Sequence, residues 1–305
     1  MKKYIVTTTI QAPTEATLKF AKMKGWDFII VGDQKTPHAL YEGMDIIYLT
    51  PEYQEKQYKA LSDAIGWNCI MRRNLGFVEA FRRGADVIAS VDDDNIPYAD
   101  WGKNLLVGKA VEVDYWVNDN GNAFDPLSIT NHNYLWHRGF PLNEITTSRR
   151  PRLEEEDTPT IVHIEVGLWD GDPDIDAICR IMYNPKHLTL HAPLRYSSTQ
   201  FIPFNSQNTF LSREAIQKYM VLPFVGRMDD IWGGYILQNR FPNSLIFNRA
   251  SVYQARNEQD LIKNLENETI GYRNTLNFVK GKASLDLPFV SEETRNFYKT
   301  YRSMF

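Results

Sequence analysis

The sequence predicts an α/β fold, a mixed and mostly parallel central sheet flanked by helices, and three observations carry that prediction. Short apolar runs alternate with helically spaced segments through the first third of the chain, the order that a βαβ succession produces. The apolar segment Ala85-Asp86-Val87-Ile88-Ala89-Ser90-Val91 runs straight into Asp92-Asp93-Asp94-Asn95. A buried strand that delivers polar groups to the carboxyl edge of a parallel sheet reads this way. No stretch rich in Pro, Gly or Ser divides the 305 residues, so one compact unit is expected.

The elements follow in order. Tyr4 to Thr9 alternates as a strand, and Thr14 to Lys24 has helical spacing with Pro13 ahead of it. Asp27 to Val31 is a second strand closing on Gly32-Asp33, and Asp45 to Leu49 a short third. Tyr58 to Ala64 reads as a helix, and Asn74 to Arg83 as an amphipathic helix feeding the Asp-terminated strand. Beyond residue 100 the pattern loosens. Phe124-Asp125-Pro126 and Trp136-His137-Arg138-Gly139-Phe140-Pro141-Leu142 read as aromatic loops, Leu188 to Leu190 as a strand, and Asp229 through Leu237 as a helix.

Composition excludes several classes. The chain is 43% hydrophobic and 13% aromatic, and no apolar run approaches the roughly 20 residues of a membrane span. Met1-Lys2-Lys3 leads at once into strand, not into a secretory apolar segment, so a soluble cytoplasmic protein without a membrane anchor is expected. Cys69 and Cys179 have neither disulfide nor zinc-ligand spacing and read as buried thiols. A net charge of -4 gives no broad basic field for nucleic acid. The local patch Arg149-Arg150-Pro151-Arg152 is followed by Glu154-Glu155-Glu156-Asp157 and reads as a solvated loop.

Three adjacent carboxylates repel and resist desolvation, so a strand ending in Asp92, Asp93 and Asp94 fits a divalent cation that neutralises them. Side chains two apart on a strand share a face, which turns Asp92 and Asp94 together and Asp93 away. That is a DxD pair suited to Mn²⁺ or Mg²⁺ shared with a diphosphate. The alternative is a solvated acidic turn. His191, one of six histidines, is a candidate third ligand. No Gly-rich phosphate loop is present, so Arg72 and Arg73 are candidates to hold phosphate, or else surface arginines. Thr8 and Asp33 gather at the same sheet edge as nucleotide contacts, with Asp93 beside them. Arg138 sits among aromatic side chains that suit a sugar ring. Asp170, Asp172, Asp174 and Asp176 alternate, but no distal Glu completes a calcium loop, so Asp172 and Asp174 are read as binding sugar hydroxyls. Asp229 and Asp230 open a helix: one serves as a cap, and the other can act as general base, Asp230 first and Asp229 as fallback.

Taken together, Pro13-Thr14 through Lys24-Gly25-Trp26, Val31-Gly32-Asp33-Gln34-Lys35-Thr36-Pro37, Arg73-Asn74-Leu75-Gly76, Asp92-Asp93-Asp94-Asn95, Trp136 to Leu142, Gly167-Leu168 with Gly171 to Asp176, and Asp229-Asp230-Ile231-Trp232 resemble the STELLO-type glycosyltransferase domain. The series is similar, more distantly, to the plant reversibly glycosylated polypeptides, which are UDP-arabinopyranose mutases. The resemblance implies a GT-A fold, a UDP-sugar donor and a divalent metal at the acidic strand end. It divides the chain into a nucleotide half (1–100), a sugar and acceptor half (101–250) and a helical extension (251–305). The mutases carry a reactive Arg seven positions before the Arg of their RGYP segment, and Asn131 stands there in this chain. The expectation is a metal-dependent, inverting glycosyltransferase with Asp92 and Asp94 on the cation, and with Arg73 and Arg138 offsetting leaving-group charge. Its acceptor is a saccharide, protein, lipid or modified nucleobase, and a homo-oligomer is compatible. A UDP-sugar mutase and a non-catalytic nucleotide-sugar binding module are the alternatives.

Overall fold

The computed structural model describes residues 1–256 and 259–305; residues 257 and 258, inside the expected extension, lie outside the described residues. The chain opens with β1 (Lys3–Thr9), α1 (Glu15–Phe20), β2 (Asp27–Gly32), β3 (Ile47–Leu49), α2 (Pro51–Gln57), α3 (Lys59–Ile65), α4 (Arg73–Arg82) and β4 (Val87–Val91). β1 pairs in parallel with both β2 and β4, and β2 in parallel with β3. Helices cover both faces of such a block, so its strands are buried on both sides: all five β4 residues are buried. The helix expected over Thr14 to Lys24 is shorter. Thr14 caps it by accepting from the Thr17 amide, and the chain leaves the helix after Phe20 to turn at Gly25. α2 was not anticipated, although Thr50 as cap with Pro51 at the first helical position is a recognisable start.

The remainder comprises β5 (Asn95–Pro97), β6 (Ala110–Asn118), β7 (Pro151–Ile161), β8 (Ile164–Gly171), α5 (Ala177–Tyr183), β9 (Tyr196–Ser197), β10 (Asn208–Ser212), α6 (Arg213–Ile216), α7 (Asp229–Arg240), β11 (Leu245–Gln254), α8 (Leu261–Lys280) and α9 (Glu292–Arg302). Together the strands form one 11-stranded sheet in the order β3-β2-β1-β4-β10-β8-β11-β9-β6-β7, with β5 paired to β11. β10 lies antiparallel between β4 and β8, and β11 runs parallel to β8. The fold is the expected α/β class with a mixed central sheet and is GT-A-like. Among the described residues no helix is long and apolar enough to cross a membrane.

Two expectations fail for local reasons. Leu188 to Leu190 is no strand: Pro185 and Pro193 bracket it, His187 sits at φ 54, and Leu188 makes only an isolated bridge to Gly171. Arg149 is no solvated patch residue. Its Nε donates to Asp125 Oδ2 at 2.5 Å and its Nη1 to the Asn133 carbonyl at 2.6 Å, tying down the aromatic loops. β11 carries the chain to Gln254 before α8 and α9 begin. Trp232 of α7 stacks on Phe278 of α8 with ring centroids 4.6 Å apart. Gly233 lets α7 settle against the backbone, since a Cβ there would fall 1.9 Å from the Met220 carbonyl oxygen.

Candidate active site

β1 and β4 end side by side, and the chain turns sharply after each, which opens a cleft of about 250 Å³. Its walls include Thr8 and Thr9, Asn68 to Ile70, Arg73, and all three of Asp92, Asp93 and Asp94. β4 stops at Val91, so the three carboxylates occupy a turn and not an extended strand. Alternation therefore does not sort them, and each finds a separate environment. Asp92 Oδ1 lies 2.5 Å from Arg73 Nη2. Asp93 accepts from the Thr9 hydroxyl, and its carbonyl accepts from the Thr14 hydroxyl. Asp94 Oδ1 is buried and has no hydrogen-bond partner among the described residues. Burial first and the Asp92 charge second push the Asp94 carboxyl up to about 7, against the pull of Arg256.

Several expected contacts lie elsewhere. Asp33 is 1% exposed and is not in the cleft wall. Its carboxylate accepts from the Gln34 and Asn68 amides at 2.6 and 2.8 Å, so it staples the Asn68 loop that forms the wall. Arg72 is buried with its guanidinium 3.2 Å from the Trp67 ring centroid and one hydrogen bond, to Ser62 Oγ. Neither a surface arginine nor a cleft residue, it packs the α3 side of the loop. Arg73 does reach the cleft, as does Thr8, whose hydroxyl donates to the Val31 carbonyl at 3.0 Å. His191 leaves the metal shell: it lies on an exposed loop where its amide donates to Asn131 Oδ1 at 2.8 Å. Among the described residues no three His, Cys, Asp or Glu side chains form a metal-holding group.

A second cluster surrounds the start of α7. Arg138 is 7% exposed, and its Nε and Nη2 each lie 2.9 Å from an Asp174 oxygen while Nη1 lies 3.1 Å from Asp230 Oδ1. With the Arg227 carbonyl as a further acceptor, Arg138 has no donor to spare for a phosphate. Gly139 at φ 79 brings this loop against Ile231 of α7, which seats Arg138 beside Asp230. Asp174, expected on a sugar, is buried and saturated by Arg138 and by Asn205 Nδ2 at 2.8 Å. Burial opposes its ionisation, but Arg138 and then Arg256 hold it well below the usual carboxylate range.

The paired acids at α7 differ. Asp230 Oδ2 accepts from the Ser206 amide at 2.9 Å and from Ser206 Oγ at 3.1 Å, and Arg138 overrides burial to keep its carboxyl low. Asp229 is less enclosed and keeps only a 4.0 Å approach to Arg138 Nη1 and a bond from the Asp230 amide. Burial and the neighbouring Asp230 charge push it up to about 8. Ser206 also accepts from Arg73 Nη1 at 2.7 Å. A continuous line therefore runs Asp92, Arg73, Ser206, Asp230, Arg138, Asp174. Arg256 extends it, 3.7 Å from Asp174 Oδ1 and 3.2 Å from Asp172 Oδ1. Ser206 and Arg256 went unread in the sequence because nothing local marks a residue whose partners are more than twenty positions away.

No protein-family model matches the chain. Two Arabidopsis thaliana proteins do: probable glycosyltransferase STELLO2, 24% identical over 289 residues and 85% of this chain, and probable glycosyltransferase STELLO1, 24% identical over 295 residues and 87%. The chain is similar to the STELLO glycosyltransferases. The likeness covers 38% of each relative's length, so this chain spans well under half of the proteins it matches. It matches them across most of its own length, which includes far more than one motif.

Proposed function

We propose that this chain is a glycosyltransferase that takes a UDP-sugar with a divalent cation at the carboxyl ends of β1 and β4. The observation that carries the reading is Asp94: a buried carboxylate oxygen without a partner among the described residues, in a cleft shared with two more carboxylates and Arg73. The two relatives, both probable glycosyltransferases, support the reaction class.

The residues fit a hard cation of the Mg²⁺ or Mn²⁺ kind, which binds through one or two carboxylates plus phosphate oxygens and water and needs no all-protein cage. Asp92 and Asp94 would hold it, and such an ion supplies charge compensation for a departing diphosphate. Arg73 holds Asp92 in place from its seat on Ser206. Arg256 adds positive charge next to Asp94. For the acceptor side Asp229 suits the base better than Asp230, whose oxygens are engaged by Arg138 and Ser206. In that step the acceptor oxygen forms its bond to the anomeric carbon, the bond to the diphosphate oxygen breaks, and the acceptor proton passes to Asp229. The outcome is inversion. A positioned base of this kind contributes a factor of roughly a hundred to ten thousand. Arg138 fixes the pair and touches no substrate.

The test is binding followed by turnover. Calorimetric titration should show UDP binding that strengthens with Mn²⁺ in the wild type and not in Asp94→Asn, with folding intact by circular dichroism. Equal metal dependence in the two proteins would overturn the assignment. Incubation of UDP-arabinopyranose without acceptor should yield no furanose isomer, since Asn131 is an exposed loop staple to Thr189 and His191.

A further inference from the structure

A second cavity, of about 670 Å³, adjoins the nucleotide cleft. The link is short: the Ala255 amide donates to the Asp94 carbonyl at 3.0 Å, and Ala255 and Arg256 line the cavity. Among its described lining residues are Arg180, Lys186 and Arg256, against one carboxylate, Asp172. Arg180 Nη2 and Arg256 Nε converge on the same oxygen, Asp172 Oδ1, at 2.6 and 3.2 Å. The side chains of these two arginines are only 6% and 8% exposed, and Arg256 Nε makes no hydrogen bond among the described residues. Asp174 stands behind Arg256, 3.7 Å from its Nη2, and its hydrogen bonds go to Arg138 and Asn205.

Two nearly buried guanidiniums converge on one carboxylate oxygen, and among the described residues Arg256 keeps a buried N–H without an acceptor, an arrangement that a low-polarity site does not support by itself. Arginine's planar fork is suited to a carboxylate or phosphate, and Lys186 at the rim adds a third cation. The space exceeds what a small inorganic ion needs and falls within the range of sites for small organic ligands. Tyr253 and His187, joined Oη to Nδ1 at 2.7 Å, give it a wall of the aromatic and polar kind that takes a sugar ring.

We propose that this cavity binds an anionic saccharide, its carboxylate or phosphate seated on Arg180, Arg256 and Lys186. The inference deepens the glycosyltransferase reading and rests on it only for which substrate carries the charge, the transferred sugar or the acceptor. The probes are glucuronate and inorganic phosphate, titrated calorimetrically into the full chain alone and again with UDP and Mn²⁺ at saturation. Both bind, binding survives saturation with UDP, and Lys186→Glu weakens it by about tenfold or more, as expected when a charged contact is lost. Lys186 is exposed, so that variant keeps the wild-type melting temperature and UDP affinity; Arg256→Gln gives the same loss of probe affinity from inside the cavity. A preference for UDP-glucuronate over UDP-glucose that vanishes in Lys186→Glu puts the charge on the transferred sugar. Equal affinity for those two donors, with glucuronate binding on top of either, puts it on the acceptor. Displacement of both probes by UDP would overturn the proposal, because the cations would then belong to the donor's diphosphate. So would probe affinities unaltered in Lys186→Glu. If UDP binds nowhere while the probes bind and respond to Lys186→Glu, the donor reading falls and the anion site stands.

Discussion

Asp229 and Asp230 are adjacent carboxylates that titrate in opposite directions, and their separate partners decide it. Arg138 and Ser206 stabilise the charged form of Asp230, whereas Asp229 meets burial and a negative neighbour that push it up to about 8. A raised carboxyl binds its proton more tightly folded than unfolded, so protonation of Asp229 favours folding in full below the ordinary carboxyl value of 3.8, and that contribution is lost progressively as pH rises from there to about 8. Turnover goes the other way, because a base must be deprotonated. We expect kcat/KM to rise with pH toward about 8, and Asp229→Asn to remove both that rise and most of the rate; a profile flat from pH 6 to 8 in the wild type would exclude Asp229 as base. Arg138→Met should act on stability. It strips Asp174 and Asp230 of the buried cation that both share, a loss on the order of 3–5 kcal/mol, measurable as a lowered urea midpoint. The acids of this site were legible in the sequence because runs such as Asp92 to Asp94 stand out after an apolar strand. Their partners were not: Arg73 meets Ser206 across 133 positions, and Arg138 presented the same signature as a phosphate ligand until Asp174 and Asp230 were seen to occupy it.

At the scale of elements, the parallel block β1, β2, β4 could be read directly, since strands buried on both faces leave uninterrupted apolar runs. The far half of the sheet could not. β9 has two residues, β7 is exposed almost throughout, and β10 depends on neighbours at β4 and β8 that no local pattern announces. Register at the site depends on close approach as much as on pairing. α7 presents Asp229 and Asp230 at its first turn while Gly233 lets it rest on the Met220 carbonyl. Gly233→Ala puts a methyl where backbone already stands, and neither partner is a flexible side chain. The expected outcome is a destabilisation of about 1–3 kcal/mol by denaturant unfolding, with a larger proportional fall in activity, because the helix carrying the base must shift. Wild-type stability and activity together in that variant would show that α7 tolerates displacement and that its seating does not position the pair.

At the scale of the whole molecule, the candidate site sits where the two halves of the sheet meet. Arg73 and Asp92 belong to the parallel block, Asp172 and Arg256 to the end of the β8 and β11 pair, and Asp94 touches both through its place in the cleft and its carbonyl bond to Ala255. A diphosphate and cation bound at Asp94 should therefore tie the halves together. Ligand that binds only the folded state stabilises it by about 2.7 kcal/mol at a hundred times its Kd. If UDP and Mn²⁺ share one set of contacts, each strengthens the other, and their joint effect exceeds the sum of their separate ones. The melting temperature of the wild type should rise more with UDP and Mn²⁺ together than the two separate rises predict, and Asp94→Asn should reduce the pair to simple addition while leaving the rise with UDP alone. Arg256→Gln should shrink the joint rise without abolishing it, because Asp92 and Arg73 still hold their side of the cleft. Strict additivity in the wild type would mean that cation and nucleotide bind apart, and the assignment of Asp92 and Asp94 to a shared metal would then be untenable.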